Sequence, residues 1–199
     1  ALLLNIPVKG QTFFRSVVMW PWVISGVAAS IMWQWMLSTR YGIINHVLLQ
    51  VGIIAEPISW LGQMHTALPS LAVVSIWKAF PFVAITLLAG IQAIPLELYE
   101  AARVDGASGL QCWRYVTLPG LRGILRLLML LETVWWFREF TLPNMLTSGG
   151  PLRATETVVI RAYKMAFEFF EFGKASALSV MIFCISFLVV LAYNRLLPE

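Results

Sequence analysis

Glu132, Trp135, Trp136 and Glu139 recur at i, i+3, i+4 and i+7, the spacing that places four side chains on one helical face. Their surroundings are apolar, and charges at membrane depth are costly and seldom face lipid. Two indoles beside two carboxylates suit a sugar, because rings stack on C–H faces while carboxylates accept hydrogen bonds from hydroxyls. The same carboxylates also suit a structural role, pairing with cations inside a helix bundle, and the two roles are compatible. Lys78 is the candidate cation. At about 1.5 Å per residue it lies roughly 25 Å from Pro95, and Arg138 and Glu139 lie roughly 27–29 Å from Gly120. A Lys78–Glu139 contact between neighbouring helices is therefore within reach.

Long apolar helices are needed to hold such a face. The chain is 59% hydrophobic and 12% charged, with a mean hydropathy of +0.79, which excludes an ordinary soluble domain. A spanning helix takes about 20 mostly apolar residues, and four stretches qualify: about 16–37, 68–93, 121–140 and 175–195. Backbone groups in lipid must be satisfied within the segment, so the predicted class is all-α, polytopic membrane protein. The pI near 9.3 comes from scattered basic residues with no nucleic-acid module, so nucleic acid is not an expected partner. Cys112 and Cys184 form no disulfide framework.

Between the second and third spans, residues 95–120 form a polar, helix-compatible island that belongs at a membrane surface. Pro95 suits the start of a helix, and Gly106 supplies the backbone freedom to end it and turn. Ser108, with Gln111 three residues on, has the form of a capping box for a second helix, which Pro119 is expected to close. Two short helices across a glycine hinge make a knob able to seat in a groove. Ala101 and Ala102 leave the first helix's backbone open to close approach.

Glu100, Ala101, Ala102, Gly106, Val116, Leu118 and Pro119 also fit a fixed pattern: Glu-Ala-Ala, three residues, Gly, nine residues, an aliphatic residue, one residue, Leu-Pro. This stretch resembles the cytoplasmic coupling loop of binding-protein-dependent ABC importer permeases. Val116 is a mild departure, the position being more often Ile. Elsewhere the chain is similar to the maltose-type sugar permeases of that family, in Phe14-Arg15 with Pro21, Gly42 and Asn45, Trp77 with Pro81-Phe82, Thr147 with Gly149-Gly150-Pro151, and Tyr163 with Ala166-Phe167. The branch also includes glycerol-phosphate transporters. The resemblance covers most of the chain and implies a type I importer transmembrane domain over 1–199. It assigns Glu100, Ala101, Ala102, Asp105, Gly106 and Pro119 to coupling with an ATPase. Positions matching Trp22, Lys78, Phe82, Glu132, Trp135, Trp136 and Glu139 fall near the sugar pathway.

The implied partners are a second related permease chain, two ATPase subunits or domains that bind ATP and Mg, an extracytoplasmic solute-binding protein, the sugar and the lipid bilayer. This chain itself is expected to bind no cofactor. The implied location is the cell inner membrane, with the coupling loop and C-terminus cytoplasmic. Counted that way, basic residues divide seven inside (Lys9, Arg15, Arg103, Arg114, Arg122, Arg126, Arg195) against five outside (Arg40, Arg153, Arg161, Lys164, Lys174), a small positive-inside bias. The chain starts without Met, and residues 1–5 read as the tail of another apolar segment. A longer permease with at least one further helix upstream is therefore expected.

Residues 141–173 should lie outside, with a turn at Gly149-Gly150-Pro151 and a helix capped by Thr155 running to about Phe170. That helix suits the interface plane, and its loop is a candidate to receive the binding protein. His46 and His65 are isolated, so neither is assigned to a metal. An intramembrane enzyme is the contrasting class, but H-E-x-x-H, G-x-S-x-G and haem-type histidine sets are absent from the sequence. G-x-x-x-x-G-K-[ST] is absent too, so ATP would have to be handled by another chain.

Overall fold

The computed structural model describes residues 10–196, and all regular elements among them are helical. The apolar segment expected in residues 1–5, and Lys9, lie outside the described residues.

The first expected span, 16–37, is not one helix. Helix α1 (Gln11–Val23) and helix α2 (Gly26–Met36) meet at an angle of 94°. Pro21 lies inside α1 and removes a backbone donor from its last turns. Ile24 is extended, and the Ser25 hydroxyl then accepts the Ala28 N–H at 3.2 Å to start α2. A hydropathy window sees a continuous apolar run here, because the break is made by Pro21, Ser25 and Gly26 and not by charge.

Helix α3 (Ile43–Gln50) is anchored by the G-x-x-N element. A Cβ on Gly42 would meet the Ser38 carbonyl oxygen at 2.3 Å, so the site is closed to other residues. Asn45 is buried; its amide donates to the Ile58 carbonyl at 2.9 Å, and its oxygen accepts from the Ile58 N–H and the Trp60 indole. Helix α4 (Met64–Ala93) starts four residues before the expected 68 and runs for 30 residues, roughly 45 Å. A core of Leu37, Leu71, Val74, Leu142 and Leu146 joins the end of α2 and α4 to the segment around residues 141–147.

Helix α5 (Leu96–Val104) opens directly after Pro95, and helix α6 (Gly109–Cys112) carries the complete Ser108/Gln111 capping box. Pro119 does not close that second helix. A π-helical turn, Trp113–Thr117, and the helical residues Leu118–Gly120 carry the chain on. Widening the turn lets the Leu118 N–H reach the Trp113 carbonyl and accommodates the proline that an α-turn would reject.

Helix α7 (Arg122–Phe137) has 16 residues, against the 20 expected over 121–140. It ends at its C-cap, Arg138, and helix α8 (Thr141–Thr147) begins three residues later. Helix α9 (Val158–Phe167) is capped by Thr157, whose hydroxyl accepts from the Ile160 N–H, and not by Thr155. Thr155 is buried instead, donating to the Gly150 carbonyl with its oxygen 2.5 Å from that of Thr147. Helix α9 ends at Phe167, short of Phe170, and helix α10 (Phe172–Leu196) packs on α9 and α7. Among the described residues, α4 and α10 are long and apolar enough to cross a membrane, and α1 with α2 qualifies as a third, bent crossing.

Glu156, in the connection between α8 and α9, has a side chain only 4% exposed, and it pairs with Arg153 and, at 3.5 Å, with Arg161. Burial opposes its charge, but the Arg153 hydrogen bond and the nearby Arg153, Lys164 and Arg161 charges outweigh it and hold the carboxyl below its ordinary 4.5. A depressed folded pKa stabilises above the unfolded value and is lost as pH falls through the folded one. Acidification from about pH 4.5 downward is therefore expected to loosen this connection, and Glu156→Gln should remove that pH dependence. Hydrogen exchange at residues 147–157 across pH 3–6 is the measurement; identical pH profiles in both proteins would refute the assignment.

Candidate functional site

Helices α1, α2, α4, α7 and α8 converge on a cavity of about 330 Å³ lined by Trp22, Gly26, Lys78, Ala79, Phe82, Glu132, Trp135, Trp136, Glu139, Thr141 and Leu142. All seven residues assigned to the sugar pathway by resemblance line this one space. Gly26, Ala79, Thr141 and Leu142 were not identified from sequence. Gly26 permits the approach of α2 to α8, since a Cβ there would lie 3.2 Å from Thr141 Cγ2. The Ser25-Gly26 pair after Pro21 was the available signal.

Aromatic rings form a continuous run across the cavity wall. Trp22 stacks on Phe82 with centroids 6.1 Å apart and planes inclined by 17°, and Phe82 meets Trp135 at 6.5 Å. Glu132 accepts the Trp136 indole N–H through Oε2 at 2.7 Å, which fixes both side chains on α7. Glu139 lies beyond the end of α7, so the expected four-residue face is completed from a connecting segment. Its Oε1 accepts the Leu142 N–H at 3.0 Å, satisfying one of the first donors of α8. Each carboxylate thus has one oxygen committed to holding the scaffold.

Lys78 departs from expectation. It shares the cavity with Glu139 but is in none of the ion pairs found among the described residues. Its Nζ donates instead to the carbonyl oxygens of Pro21 at 2.9 Å, Trp22 at 3.2 Å and Ile24. These groups lie where α1 ends, and helix-terminal carbonyls lack intrahelical donors and attract cations. The helical rise correctly puts Lys78 beside Glu139, but it is blind to the helix break that takes the ammonium.

At the opposite end of α4, residues 95–120 form the expected knob. Gly106 has φ +82°, and its N–H reaches the Arg103 carbonyl while that of Ala107 reaches the Ala102 carbonyl, a complete Schellman closure of α5. The Tyr99 hydroxyl lies 2.9 Å from that of buried Thr117, tying the two halves together. Glu100, Ala101, Asp105 and Gly106 are exposed, while Ala102 and Pro119 are half-buried. Val104 and Leu110 protrude at 87% and 74% exposure. The described residues hold no cluster of three or more His, Cys, Asp or Glu able to bind a metal.

Residues 2–199 match the family described as "Binding-protein-dependent transport system inner membrane component". The chain is 34% identical over 196 residues to a probable ABC transporter permease protein of Brucella suis biovar 1, covering 98% of this chain and 68% of that one. It is also 34% identical over 195 residues to the trehalose/maltose transport system permease protein MalF of Thermococcus litoralis, covering 98% of this chain and 65% of the relative. Among solved structures, the crystal structure of a bacterial alginate ABC transporter, in complex with alginate pentasaccharide-bound periplasmic protein, aligns with a TM-score of 0.88 and 25% identity. That alignment covers 98% of this chain and 68% of its counterpart.

No atom lies within 4 Å of a Cβ built on Gly106, so a substitution there acts through backbone strain alone. Gly106→Val is expected to destabilise the end of α5 by about 1–2 kcal/mol, and Gly106→Asn by less, because Asn tolerates the left-handed region. Hydrogen exchange at residues 106 and 107 should rise from the parent protein through the Asn variant to the Val variant. Equal protection in all three proteins would contradict the account.

Proposed function

We propose a function from one premise: this chain belongs to the family of binding-protein-dependent transport system inner membrane components. It is a membrane permease subunit of an ATP-driven importer, and its cavity is part of the path for a sugar delivered by a solute-binding protein. The observation that carries this reading is the convergence of Trp22, Phe82 and Trp135 with Glu132 and Glu139 on one space between helices. Rings offer stacking faces, and carboxylate oxygens not committed to the scaffold offer acceptors for sugar hydroxyls.

Cargo of another kind is the competing reading, since one relative is an sn-glycerol-3-phosphate transport system permease protein of Brucella suis. A phosphate calls for available cationic donors. The lysine in this cavity is engaged with backbone carbonyls, while two carboxylates line the same walls. Those two facts favour the neutral sugar.

In this reading the chain is not an enzyme. Its exposed knob docks an ATPase, which binds ATP and Mg, through Glu100, Ala101, Ala102, Asp105 and Gly106, with Pro119 in the supporting turn. A second related permease completes the membrane unit, with two ATPase subunits or domains beneath it. The knob and the C-terminus face the cytoplasm, and the connection carrying Gly149–Pro151 faces the binding protein.

Two outcomes are expected in the importer reconstituted with its gene-neighbourhood partners. Trp135→Ala and Glu139→Gln should each reduce uptake by roughly 10–100-fold, the scale set by one strong polar or stacking interaction with the cargo, while assembly and basal ATPase activity persist. Glu139→Gln retains an oxygen for the Leu142 N–H, so its effect reports on the cavity and not on the α8 cap. Unchanged uptake in both would sink the pathway reading.

Coupling is tested separately. Glu100→Lys should abolish stimulation of ATPase activity by the loaded binding protein without dissociating the complex. Normal stimulation would remove Glu100 from the docking surface.

A further inference from the structure

We infer that Lys78 is a positioning residue: it clamps the break between α1 and α2 and so sets Trp22 in the cavity. The inference rests on the reading of that cavity as part of the cargo path. The Lys78 ammonium has three N–H donors, and three carbonyls receive them, those of Pro21, Trp22 and Ile24. All three belong to the last turn of α1 or to the residue just beyond it. The opposite side of the break is closed by the Ser25 hydroxyl on the Ala28 N–H.

Donors are needed at this position because the 94° bend frees helix-terminal carbonyls in a segment where lipid supplies no replacement. Pro21 deepens the deficit by removing its own N–H from α1. A cation at a helix C-terminus is further favoured by the helix dipole. Without the clamp, α1 and α2 gain by straightening, since an extended helix recovers its internal hydrogen bonds.

Trp22 reads the clamp out directly. Its carbonyl is one of the three acceptors, and its ring stacks on Phe82, four residues along α4 from Lys78 itself. One helix thus holds both the backbone and the side chain of Trp22. Loss of the ammonium releases the backbone, and the ring leaves the stack that lines the cavity. Lys78 acts in this scheme through Trp22 and not through Glu139, and it does not touch cargo.

The test uses the complete importer with Cys112 and Cys184 replaced by Ala, and spin labels on Val17→Cys and Ile31→Cys. These half-exposed positions lie on α1 and α2. Lys78→Met is expected to lengthen and broaden the label-to-label distance, while Lys78→Arg, which keeps several donors and the charge, leaves it near that of the parent protein. Uptake by Lys78→Met should fall at least about tenfold, on the scale of one charge-assisted hydrogen bond. That fall should be largely absent in a Trp22→Ala background and fully present in a Glu139→Gln background.

An unchanged distance in Lys78→Met overturns the clamp whatever uptake does. Coupling of Lys78 to Glu139 with none to Trp22 overturns it as well. A changed distance with unchanged uptake upholds the clamp and overturns the cavity as cargo path, so the two failures are distinguishable. Should Lys78→Met not assemble, Lys78→Gln is measured in its place. Its amide keeps two donors, so a partial change in distance is expected and no change again overturns the clamp.

Discussion

Backbone groups deprived of water must find partners inside the protein, and this constraint governs every place where the chain stops being a helix. A continuous helix satisfies most of these groups internally, which is why α4 can run for 30 residues of mostly apolar chain even with Pro69 and Pro81 inside it. Some interruptions are closed by backbone alone, as at Gly106, and others recruit a side chain. Lys78 serves the end of α1, Ser25 the start of α2, Glu139 the start of α8 and Thr157 the start of α9. Of these four side chains, Lys78 and Glu139 line the cavity.

These bonds also give the cavity part of its chemistry. Glu139 caps the start of α8 and lines the enclosed space. Lys78, reaching from within α4, spends its three donors on the end of α1, and Glu132 is held within α7 by the Trp136 indole. Glu132 and Glu139 each commit one oxygen to the scaffold, which immobilises them before any cargo arrives. Preorganised acceptors lose less on binding than mobile ones. The structural and cargo-facing readings of these carboxylates are therefore two uses of the same side chain.

The sequence was informative wherever the determinant is local. Gly106 at positive φ, the Ser108/Gln111 capping box and the α5 helix after Pro95 all follow from residues within a few positions of one another. The cavity wall was legible through spacing and resemblance together, and all seven assigned residues line it. Three features were not. Hydropathy averages over a window and does not register the break at Ile24, made by a proline and a cap. Pro119 signals a stop, but a π-turn absorbs it. The partner of Lys78 lies more than 50 residues away, and nothing in local spacing distinguishes a carboxylate just beyond α7 from an unpaired carbonyl at the end of α1.

Exposed apolar side chains carry different meanings at the two ends of the molecule. On α10, Val180, Phe183, Phe187 and Leu188 are exposed along the helix with no charged neighbour between Lys174 and Arg195; lipid is an adequate solvent for such a surface. Val104 and Leu110 are more exposed still, yet they sit among Glu100, Arg103 and Asp105 on a knob rigidified by the Schellman closure and the Tyr99–Thr117 tie. Charges at that spacing keep the knob out of the lipid interior, and water is a poor solvent for two protruding aliphatic groups. A protein groove with an apolar floor and a polar rim satisfies both at once. In the proposed docking to an ATPase, a knob whose two helices are fixed relative to each other would carry displacement of that groove towards α4 and α7, and both helices line the cavity.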